Sequence, residues 1–395
     1  MTSTPTRMKA ALALRGLRLD PSVLTHGRPP TGSVGLDLPH RLTVSAPIVQ
    51  DTEGTPYVLT MRGAQSFIED GNADAAVPVR ANRPPRFYER ATSQGTPMGE
   101  VATRHGRHLV VAPGGPCGFS VRGTPCAFCL EGARAMGSRE GRLHPTDVVE
   151  VVRAALAEGV VDGVYFNSCA FDAEDGGIAF LAPYIEAVRR HVDTLVAVQV
   201  HPPADTAWVD RTYAMGVDAI SYNLEIYDAD VLLRQCVGRA RYIGRERYLE
   251  VLAHAARIFP SGTVWSELVL GIESRDSTIA GIDALAAMGV LPVLAMHRGS
   301  MPAPNGDGLD GLEAVLACLF DAVHAKGINM GWIHGLPLGI TPLDAGQGRS
   351  DLPRLATLVQ TLSRNRFGGM ALRNLARIRR RLRIRKPDDS LHASA

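Results

Sequence analysis

The sequence predicts an α/β protein built on a full or partial (β/α) barrel of the TIM type, and three observations support this. An Ala-x-Gly-(Val/Ile) phrase occurs four times, at 157–160, 214–217, 287–290 and 325–328. Each copy follows a segment with helical periodicity and precedes a short apolar run. Glycine just past a helix end adopts the left-handed conformation that lets the chain reverse. The chain has 395 residues and is 45% hydrophobic, enough for one large barrel with extensions.

Seven apolar runs are the predicted strands, and amphipathic segments separate most of them. Buried strands that alternate with helices indicate parallel βαβ units. So many units in line favour a barrel over an open doubly wound sheet, which stays the alternative. The predicted strands are 108–112, 161–167, 194–200, 217–223, 263–271, 290–296 and 328–334. Helical spacing of apolar residues marks 146–159, 177–192, 246–259, 277–289 and 311–327.

The chain divides by composition into three regions. Residues 1–95 are rich in Pro, Gly and Thr and form a predicted accessory segment. It contains a helix over residues 7–17 and weak strand signals at 55–63. Residues 96–345 form the predicted barrel, and 346–395 a predicted C-terminal helix and basic tail.

The net charge of +2 hides an asymmetry between the tail and the rest of the chain. Residues 364–386 contain ten basic side chains and no acidic one, whereas the other residues carry 32 basic against 40 acidic side chains. Such a tail could contact nucleic acid, an acidic partner or the body of the protein itself. A solvated terminal helix with an arginine-rich face is the simplest interpretation.

Three features bear on where the protein is found. No run of eighteen apolar residues occurs, so no membrane span is expected. The N-terminal residues lack a plausible signal-peptide cleavage site. Six unevenly spaced cysteines fit a reducing compartment better than a disulfide framework. We therefore expect a cytoplasmic protein.

Cys117, Cys126 and Cys129 lie within thirteen residues, just after the first predicted strand. Three thiolates from one loop make a soft metal site suited to iron–sulfur or zinc. A cluster with only three protein ligands leaves one iron open. A zinc site that includes His105 and His108 is an alternative, as are three ordinary thiols.

Polar side chains follow the end of every predicted strand. Because the sites of barrel enzymes lie at the carboxyl ends of the strands, this pattern predicts a ligand site there. After the cysteine loop, the polar residues at the strand ends are Asn167, Ser168, Asp172, Asp175, Gln199, His201, Asn223, Glu225, Glu267, Glu273, His297, Arg298 and His334.

The cysteine loop after the first barrel strand resembles that of the radical S-adenosylmethionine (radical SAM) enzymes, most closely the biotin synthase and lipoyl synthase branch. The resemblance covers residues 105–340. The usual family motif is Cys-x3-Cys-x2-Cys, whereas the first gap here has eight residues. Elongator-type tRNA-modifying enzymes have a similarly long gap. The sequence Cys126-Ala-Phe128-Cys129 matches the family's aromatic residue before the last cysteine.

The resemblance implies a reaction that begins at an iron–sulfur cluster. A [4Fe–4S] cluster on Cys117, Cys126 and Cys129 would bind S-adenosylmethionine at its open iron. Reductive cleavage would yield a 5′-deoxyadenosyl radical that abstracts hydrogen from a small-molecule substrate. The electron would come from a flavodoxin or a ferredoxin-type donor.

The resemblance also implies contacts to the methionine and adenine parts of S-adenosylmethionine. Phe128 would pack near the adenine. Ser168 and Asp172 lie where the family binds the methionine ammonium, although its usual Gly-Gly-Glu is absent. Arg247 could pair with the methionine carboxylate, and Arg245 is the alternative.

Two further stretches match the family's binding positions for the adenosine part. Asn223 and Glu225 correspond to residues that hold the ribose hydroxyls. The stretch 268–273, with Gly271 and Glu273, resembles the adenine-binding segment of the fifth strand.

Five residues are candidates for substrate binding or proton relay. Cys169 lies where biotin synthase places a ligand of its sulfur-donating cluster. The third and fifth predicted strands have no cysteine, so a second cluster is not expected and sulfur insertion is disfavoured. His201, His297, Arg298 and His334 suit anionic substrate groups, with a structural role as the alternative for each.

Two other functions stay open at this point. RNA or tRNA modification is suggested by the long cysteine gap and the basic tail, but only Phe367 interleaves with the tail arginines. A zinc-stabilised binding barrel is the non-enzymatic alternative. The identity of the substrate does not follow from the sequence.

Overall fold

The computed structural model describes most of the predicted barrel and much of the N-terminal region. The predictions for Asp172, Arg298 and His334 lie outside the described residues. Among the helices of the described part, none is long and apolar enough to cross a membrane. The described residues are 5–24, 32–50, 55–72, 75–114, 117–129, 143–169, 174–297, 309–331, 333, 339–347, 374 and 376–380.

The larger sheet has eight strands in the order β14-β13-β12-β11-β10-β9-β8-β7. Strands β8 to β13 run parallel, and β7 and β14 pair antiparallel at the two edges. The sheet curls into a partial barrel, as the sequence predicted. Its strands are β7 (Thr103–His105), β8 (His108–Val111), β9 (Gly163–Asn167), β10 (Leu195–Gln199), β11 (Ala219–Ser221), β12 (Val264–Leu270), β13 (Leu291–Met296) and β14 (Gly339–Ile340).

Alternation along the strands separates a barrel interior from a helix-facing core. Tyr165, Ala197 and Trp265 pack together on the inner face. Their neighbours Val164 and Phe166 belong instead to the large core beneath the helices. Val164 and Phe166 therefore face the helices, whereas Tyr165, Ala197 and Trp265 face the interior of the barrel.

The helices that follow the strands confirm the five amphipathic predictions. All four glycines of the repeated phrase have positive φ: Gly159 at 70°, Gly216 at 95°, Gly289 at 80° and Gly327 at 62°. The barrel-region helices are α3 (Met98–Val101), α4 (Gly118–Val121), α5 (Pro145–Ala157), α6 (Ile178–His191), α7 (Ala207–Ala214), α8 (Ala229–Gln235), α9 (Val237–Tyr242), α10 (Arg245–Ile258), α11 (Arg275–Ala287), α12 (Leu312–Ala325) and α13 (Pro342–Ala345).

The strand predicted at 328–334 is wrong for the residues that the structure describes there. Residues 328–331 have no strand conformation. The side-chain oxygen of Asn329 accepts a hydrogen bond from the Gly331 amide at 2.9 Å, which bends the chain locally. The sheet continues instead through β14, which pairs antiparallel with β13.

The N-terminal region forms a separate six-stranded sheet in the order β1-β4-β5-β6-β2-β3. The sequence indicated only β4 of this sheet, and it placed the first helix within two residues of α1. The elements are α1 (Pro5–Arg15), β1 (Arg18–Leu19), α2 (Pro21–Leu24), β2 (Ser33–Asp37), β3 (Thr43–Pro47), β4 (Tyr57–Arg62), β5 (Gln65–Asp70) and β6 (Ala75–Ala81), with 3₁₀ turns at Pro39–Arg41 and Arg86–Glu89.

Helix α1 packs against the last strands of the barrel. The Lys9 ammonium donates to the Asp344 carboxylate at 2.8 Å, and both side chains are largely buried. The Thr6 hydroxyl donates to the Asp344 carbonyl at 2.7 Å. Asp344 also completes a capping box with Thr341 at the start of α13. The N-terminal helix therefore fixes the edge of the barrel at β13 and β14.

The amino end of the barrel holds a network of arginines and carboxylates. The buried Asp218 carboxylate accepts from Arg189 at 2.6 Å and from Arg380 at 2.7 Å. Arg377 and Arg380 both pair with Asp193, at 2.5 and 2.8 Å. Among the alternatives for the basic tail, its described part at 376–380 thus contacts the body of the protein.

Candidate active site

The cysteine loop lies across the carboxyl end of the barrel. It follows β8, and its Gly118 amide donates to the carbonyl of Cys169, just beyond β9, at 3.1 Å. The Phe119 ring packs edge-on against His201, past β10, with centroids 4.9 Å apart. Phe128 approaches His297, past β13, at 6.1 Å. The loop therefore spans the ends of several strands.

The three cysteines of this loop are half-buried free thiols. Cys126 packs beside the buried Cys236. A hydrogen bond from Cys236, aided by the nearby Arg239 guanidinium, lowers the pKa of Cys126 to about 6. The thiolate is the form that binds metals, so this environment prepares Cys126 for ligation.

The structure does not draw the three thiols together. Within the described ranges, no group of three or more His, Cys, Asp or Glu side chains is arranged to hold a metal ion. The donor chemistry nevertheless fits an iron–sulfur cluster, because one loop supplies three partly accessible thiols and Cys126 among them lies beside the largely buried Arg239. Ligand sets often converge only as the metal binds. The assignment of Cys117, Cys126 and Cys129 stays a prediction.

Beneath the loop lies a network of polar side chains centred on Arg239 of α9. Its Nη2 donates to Glu225 Oε1 at 3.2 Å, and its Nη1 donates to the Asn223 carbonyl at 2.5 Å. The Asn223 side-chain amide donates to Glu267 Oε2 at 3.0 Å, and its oxygen accepts from the Ser221 hydroxyl. The network therefore joins the end of β11 and the middle of β12 to α9.

Two carboxyl groups share the single guanidinium of this network. Burial raises the pKa of Glu225 to about 8 and that of Glu267 to about 7, although Arg239 opposes both shifts. Near neutral pH the pair therefore holds about one proton more than two ordinary carboxylates would. A ligand with hydrogen-bond donors or a positive charge could replace this extra proton in stabilising the two carboxyl groups.

Glu225 also has a strained backbone, with φ at 70°. Residues other than glycine rarely adopt this left-handed backbone conformation, which costs them about 1–2 kcal/mol. Two hydrogen bonds to β12 hold it in place: the Glu225 amide donates to the Glu267 carbonyl and the Val269 amide donates to the Glu225 carbonyl, each at 2.8 Å. Strain of this kind concentrates at functional sites.

The interior of the barrel below the mouth has polar atoms that lack partners. The buried Oδ1 of Asn167 and the indole Nε1 of Trp265 make no hydrogen bond to the described residues. The Gln199 side-chain oxygen accepts from the Tyr165 hydroxyl. Buried polar atoms are normally satisfied, so unpaired ones at a strand end suggest a place for a ligand.

Glu273, a predicted adenine contact, holds the loop after β11. Its carboxylate accepts from the amides of Tyr227 and Asp228 at 3.0 and 2.8 Å, and from the Ser277 hydroxyl at 2.7 Å. This loop carries Glu225. Glu273 is therefore placed to position the ribose-binding candidate, and its own contact with adenine stays a prediction, as does that of Gly271.

Three of the predicted substrate residues adjoin the cysteine loop. The Cys169 carbonyl bonds the loop directly, and the rings of His201 and His297 pack on its two phenylalanines. Burial lowers the pKa of His201 well below its ordinary value, so the imidazole is neutral. Ser168 is buried at the end of β9, and its amide donates to the Gln199 carbonyl at 3.2 Å.

Arg247 and Arg245 lie at the start of α10. Arg247 donates to the Pro203 carbonyl at 2.8 Å and pairs with Glu250 at 2.8 Å, while its Nη2 is buried without a partner among the described residues. Arg245 stacks on the Tyr227 ring, 5.0 Å from its centre. The free Nη2 leaves Arg247 able to bind a carboxylate.

The sequence did not single out Arg239, the central cation of the site. The signal lies in its neighbour Gly238, where a Cβ would come within 2.6 Å of the Phe119 ring and 2.7 Å of the Thr124 carbonyl. A glycine there lets α9 pack tightly on the cysteine loop and so brings Arg239 beneath it.

The zinc alternative gains no support from the positions of the histidines. His105 and His108 pair across the β7–β8 hairpin at the amino end of β8. The cysteine loop follows the opposite end of that strand. Burial lowers the pKa of His108 to about 4, so that its imidazole is neutral.

Comparison with known proteins gives distant sequence relatives, while no protein-family model matches the chain. The chain is 26% identical over 185 residues to lipoyl synthase of Marinobacter nauticus, covering 46% of this chain and 50% of that protein. It is 27% identical over 212 residues to lipoyl synthase of Thermus thermophilus, covering 52% and 61%. The third relative is bacteriochlorophyllide c C-7(1)-hydroxylase of Chlorobaculum limnaeum, 24% identical over 139 residues, covering 33% and 35%.

Solved structures with some similarity include methylornithine synthase, with a TM-score of 0.44 and 13% identity, covering 55% of this chain and 64% of that one. The hydrogenase maturase HydG of Carboxydothermus hydrogenoformans has a TM-score of 0.41 and 14% identity, covering 55% and 52%.

The sequence matches make the chain a homologue of radical SAM enzymes and a distant relative of the lipoyl synthases. It spans between 50% and 61% of the length of the two lipoyl synthases that it matches.

Proposed function

We propose that this protein is a radical SAM enzyme that acts on a small molecule bound in the mouth of the barrel. The observation that carries the proposal is the position of the cysteine loop. The loop follows β8, and its Cys126 adjoins Arg239 and Glu225 of the polar network, where the strand ends offer polar groups to a ligand.

Cys117, Cys126 and Cys129 would hold a [4Fe–4S] cluster. When bound, the cluster and S-adenosylmethionine supply the electron and the 5′-deoxyadenosyl radical that starts the reaction on the substrate. The Arg239 guanidinium, with a side chain 11% exposed, would offset negative charge beside the thiolates. The buried side chain of Phe119, within the loop, would exclude water from this side of the mouth.

The protein's contribution to binding S-adenosylmethionine would be orientation. Glu225 and Asn223 are held by Arg239 and by β12, ready to accept the ribose hydroxyls. Phe128 lies in the apolar cluster with Val269 and Ile272 and would pack on the adenine.

Three more groups would complete this cofactor site. Ser168 with Asp172 would bind the methionine ammonium, Arg247 its carboxylate, and the backbone at Gly271 would lie along the adenine.

The substrate would bind deeper in the barrel, against Asn167, Gln199 and Glu267. These side chains present oxygen acceptors, one of them unpaired. A substrate with N–H or O–H groups fits this set of acceptors. The neutral imidazole of His201 could then accept or relay a proton.

An exposed patch beside the cysteine loop suits the electron donor. Val121 is 65% exposed and Tyr242 47% exposed. The Arg122 guanidinium lies 5.5 Å from the Tyr242 ring centre. An apolar patch with a cation beside it fits the acidic surface of a flavodoxin or ferredoxin-type partner.

RNA modification receives no support from the described tail residues. Arg377 and Arg380 are paired with Asp193 and Asp218 at the end of the barrel opposite the cysteine loop. A strand of RNA would have to displace these ion pairs to bind there.

The test is anaerobic reconstitution of the full chain with iron and sulfide, followed by reduction in the presence of S-adenosylmethionine. We expect about four irons per chain and formation of 5′-deoxyadenosine. Cys126→Ala should lower both, whereas the matched variant Cys318→Ala, on the outer helix α12, should not. Colourless protein with one zinc and no 5′-deoxyadenosine would support the zinc-stabilised barrel and contradict the proposal.

A further inference from the structure

A second cavity lies between the N-terminal sheet and the first strands of the barrel. It encloses about 1050 Å³. Strands β4 to β6 form one wall, and the segment from Asn82 to Arg86 together with Arg104 of β7 forms the other. Glu158 and Val160, which precede β9, close the barrel side.

The floor of this cavity is apolar. Val34, Leu59 and Val79 are buried side chains of the sheet that line it. Met61 and Ala81 extend the apolar surface towards the opening. Such a floor favours a hydrocarbon part of a ligand over a fully hydrated ion.

The rim of the cavity is cationic, with four arginines and one glutamate. Arg80 pairs with Asp37, and the Nε of Arg86 lies 4.0 Å from Oε1 of Glu158. The two oxygens of Glu158 are already bonded to the amides of Arg86 and Phe87, at 2.9 and 3.1 Å. The glutamate is therefore committed to holding this segment.

The other two arginines of the rim make no ion pair within 4.0 Å among the described residues, although the Asp37 carboxylate acts on Arg104 from farther away. Arg83 is exposed at the opening and makes no ion pair there. Arg104 is half-buried, and its guanidinium uses only Nε, which donates to the Gly106 carbonyl at 2.9 Å. Burial lowers the pKa of Arg104, although the Asp37 carboxylate, which is paired with Arg80, opposes the shift.

The cavity is separate from the proposed active site. Glu158 and Val160 precede β9, whereas the cysteine loop contacts the residues that follow that strand. The binding of S-adenosylmethionine and the substrate therefore leaves the cavity unexplained.

We propose that this cavity binds a small amphipathic anion. Its apolar part lies on the floor formed by Leu59 and Val79, and its carboxylate or phosphate is bound by Arg83 and Arg104. A guanidinium binds either group through paired hydrogen bonds. The volume is that of a large small-molecule site.

Calorimetric titration of the full chain with three probes tests the proposal. Decanoate has the apolar chain and the anionic group, decylammonium reverses the charge, and inorganic phosphate lacks the chain. We expect decanoate to bind with one site per chain and at least about ten-fold more tightly than either of the others.

Two substitutions at the rim should each weaken decanoate binding about ten-fold, since each removes one charged hydrogen-bond partner: Arg83→Gln and Arg104→Gln. Ala64→Trp, at the exposed turn that lines the opening, should block it. Arg153→Gln, on the outer face of α5, is the matched control and should change nothing. Arg83→Gln should also leave 5′-deoxyadenosine formation unchanged, so failure here is distinct from failure of the proposed function.

Several results would overturn the proposal. These are no heat from decanoate, equal affinity for decanoate and decylammonium, or unchanged binding in both arginine variants. Binding to phosphatidylglycerol vesicles without binding of free decanoate would assign the surface to a membrane lipid and would equally overturn it.

Discussion

The two ends of the barrel each hold a group of arginines and carboxylates, but the balance of charges is opposite. At the amino end, Asp218 lies between Arg189 and Arg380, and its Oδ2 also accepts from the Val196 amide at 3.0 Å. At the carboxyl end, a single guanidinium serves Glu225 and Glu267.

This difference separates a structural group from a binding group. The carboxylate at the amino end is saturated by the protein's own donors, so its role is structural. At the carboxyl end, Arg239 Nε and Asn167 Oδ1 are buried without partners among the described residues. We therefore expect a ligand at the carboxyl end, whereas the carboxylates of the amino end are satisfied by the protein itself.

Asp218→Asn, at the amino end, should have the largest effect on stability. Removing the charge leaves the largely buried Arg189 without a carboxylate and leaves Arg380 with only the half-exposed Asp193, so the free energy of unfolding should fall by about 3–5 kcal/mol. Urea denaturation at neutral pH measures this loss. Asp193→Asn is the matched control: that side chain is 50% exposed, so its loss should cost under about 1 kcal/mol. Equal effects of the two substitutions would contradict the assignment.

Glu267→Gln, at the carboxyl end, should raise the free energy of unfolding, and the size of this increase should depend on pH. The pKa of Glu267 is raised to about 7 in the folded protein, so its stabilising protonated form is lost as pH rises through that value. At pH 5 the variant should match the unsubstituted protein. At pH 8 it should be more stable, by on the order of 3 kcal/mol.

Denaturation of the metal-free protein across pH 5 to 8 measures this difference. Glutamine keeps an oxygen that can accept the Asn223 amide, so the comparison isolates the charge. If the variant and the unsubstituted protein lose stability in parallel over this range, the unbalanced charge at the carboxyl end is refuted.

Glu273→Gln should have a smaller effect that extends to the cofactor. It removes part of a carboxylate that holds two amides and a hydroxyl, which should cost about 1–3 kcal/mol of stability. Because this anchor positions the loop with Glu225, S-adenosylmethionine binding should weaken as well. Equilibrium dialysis measures that change. Ser277→Ala removes one hydrogen bond to Glu273. Its stability and its affinity for S-adenosylmethionine should lie between those of Glu273→Gln and those of the unsubstituted protein.

Arg377→Gln should have the smallest effect. Its side chain is 46% exposed and its partner Asp193 is 50% exposed, so the pair should contribute under about 1 kcal/mol, and less at high salt. Thermal unfolding at two salt concentrations checks this. A shift as large as that of Asp218→Asn would show that the tail has a greater structural role.

Much of the barrel was predictable because its signals are local. Each Ala-x-Gly phrase ends a helix, and the glycine conformations follow from that. The run at 328–334 failed because Asn329 and Gly331 make a turn within an otherwise apolar stretch. Most of the N-terminal sheet escaped prediction, since β1 pairs with β4 and β2 with β6 across long stretches of sequence, and β6 contains Pro78.

The candidate site was predictable where the residues end strands. Asn223 and Glu225 follow β11 at the carboxyl end of the sheet because parallel strands share a direction, and Asn223 is hydrogen-bonded there to Glu267 of β12. Arg239 was missed because it comes from a helix, and nothing in its spacing reveals which way that helix packs. The role of Glu273 as an anchor likewise depends on hydrogen bonds between distant loops.

The ion pair between Lys9 and Asp344 has a consequence for biosynthesis. Its partners are 335 positions apart, so a ribosome adding 5–20 residues per second makes the first helix wait roughly 20–70 s for its docking site. Throughout that interval the nascent barrel has no finished edge at β13 and β14. A chaperone that shields this edge, or slower translation of β13 and β14, should therefore change the yield of native protein more than its final stability.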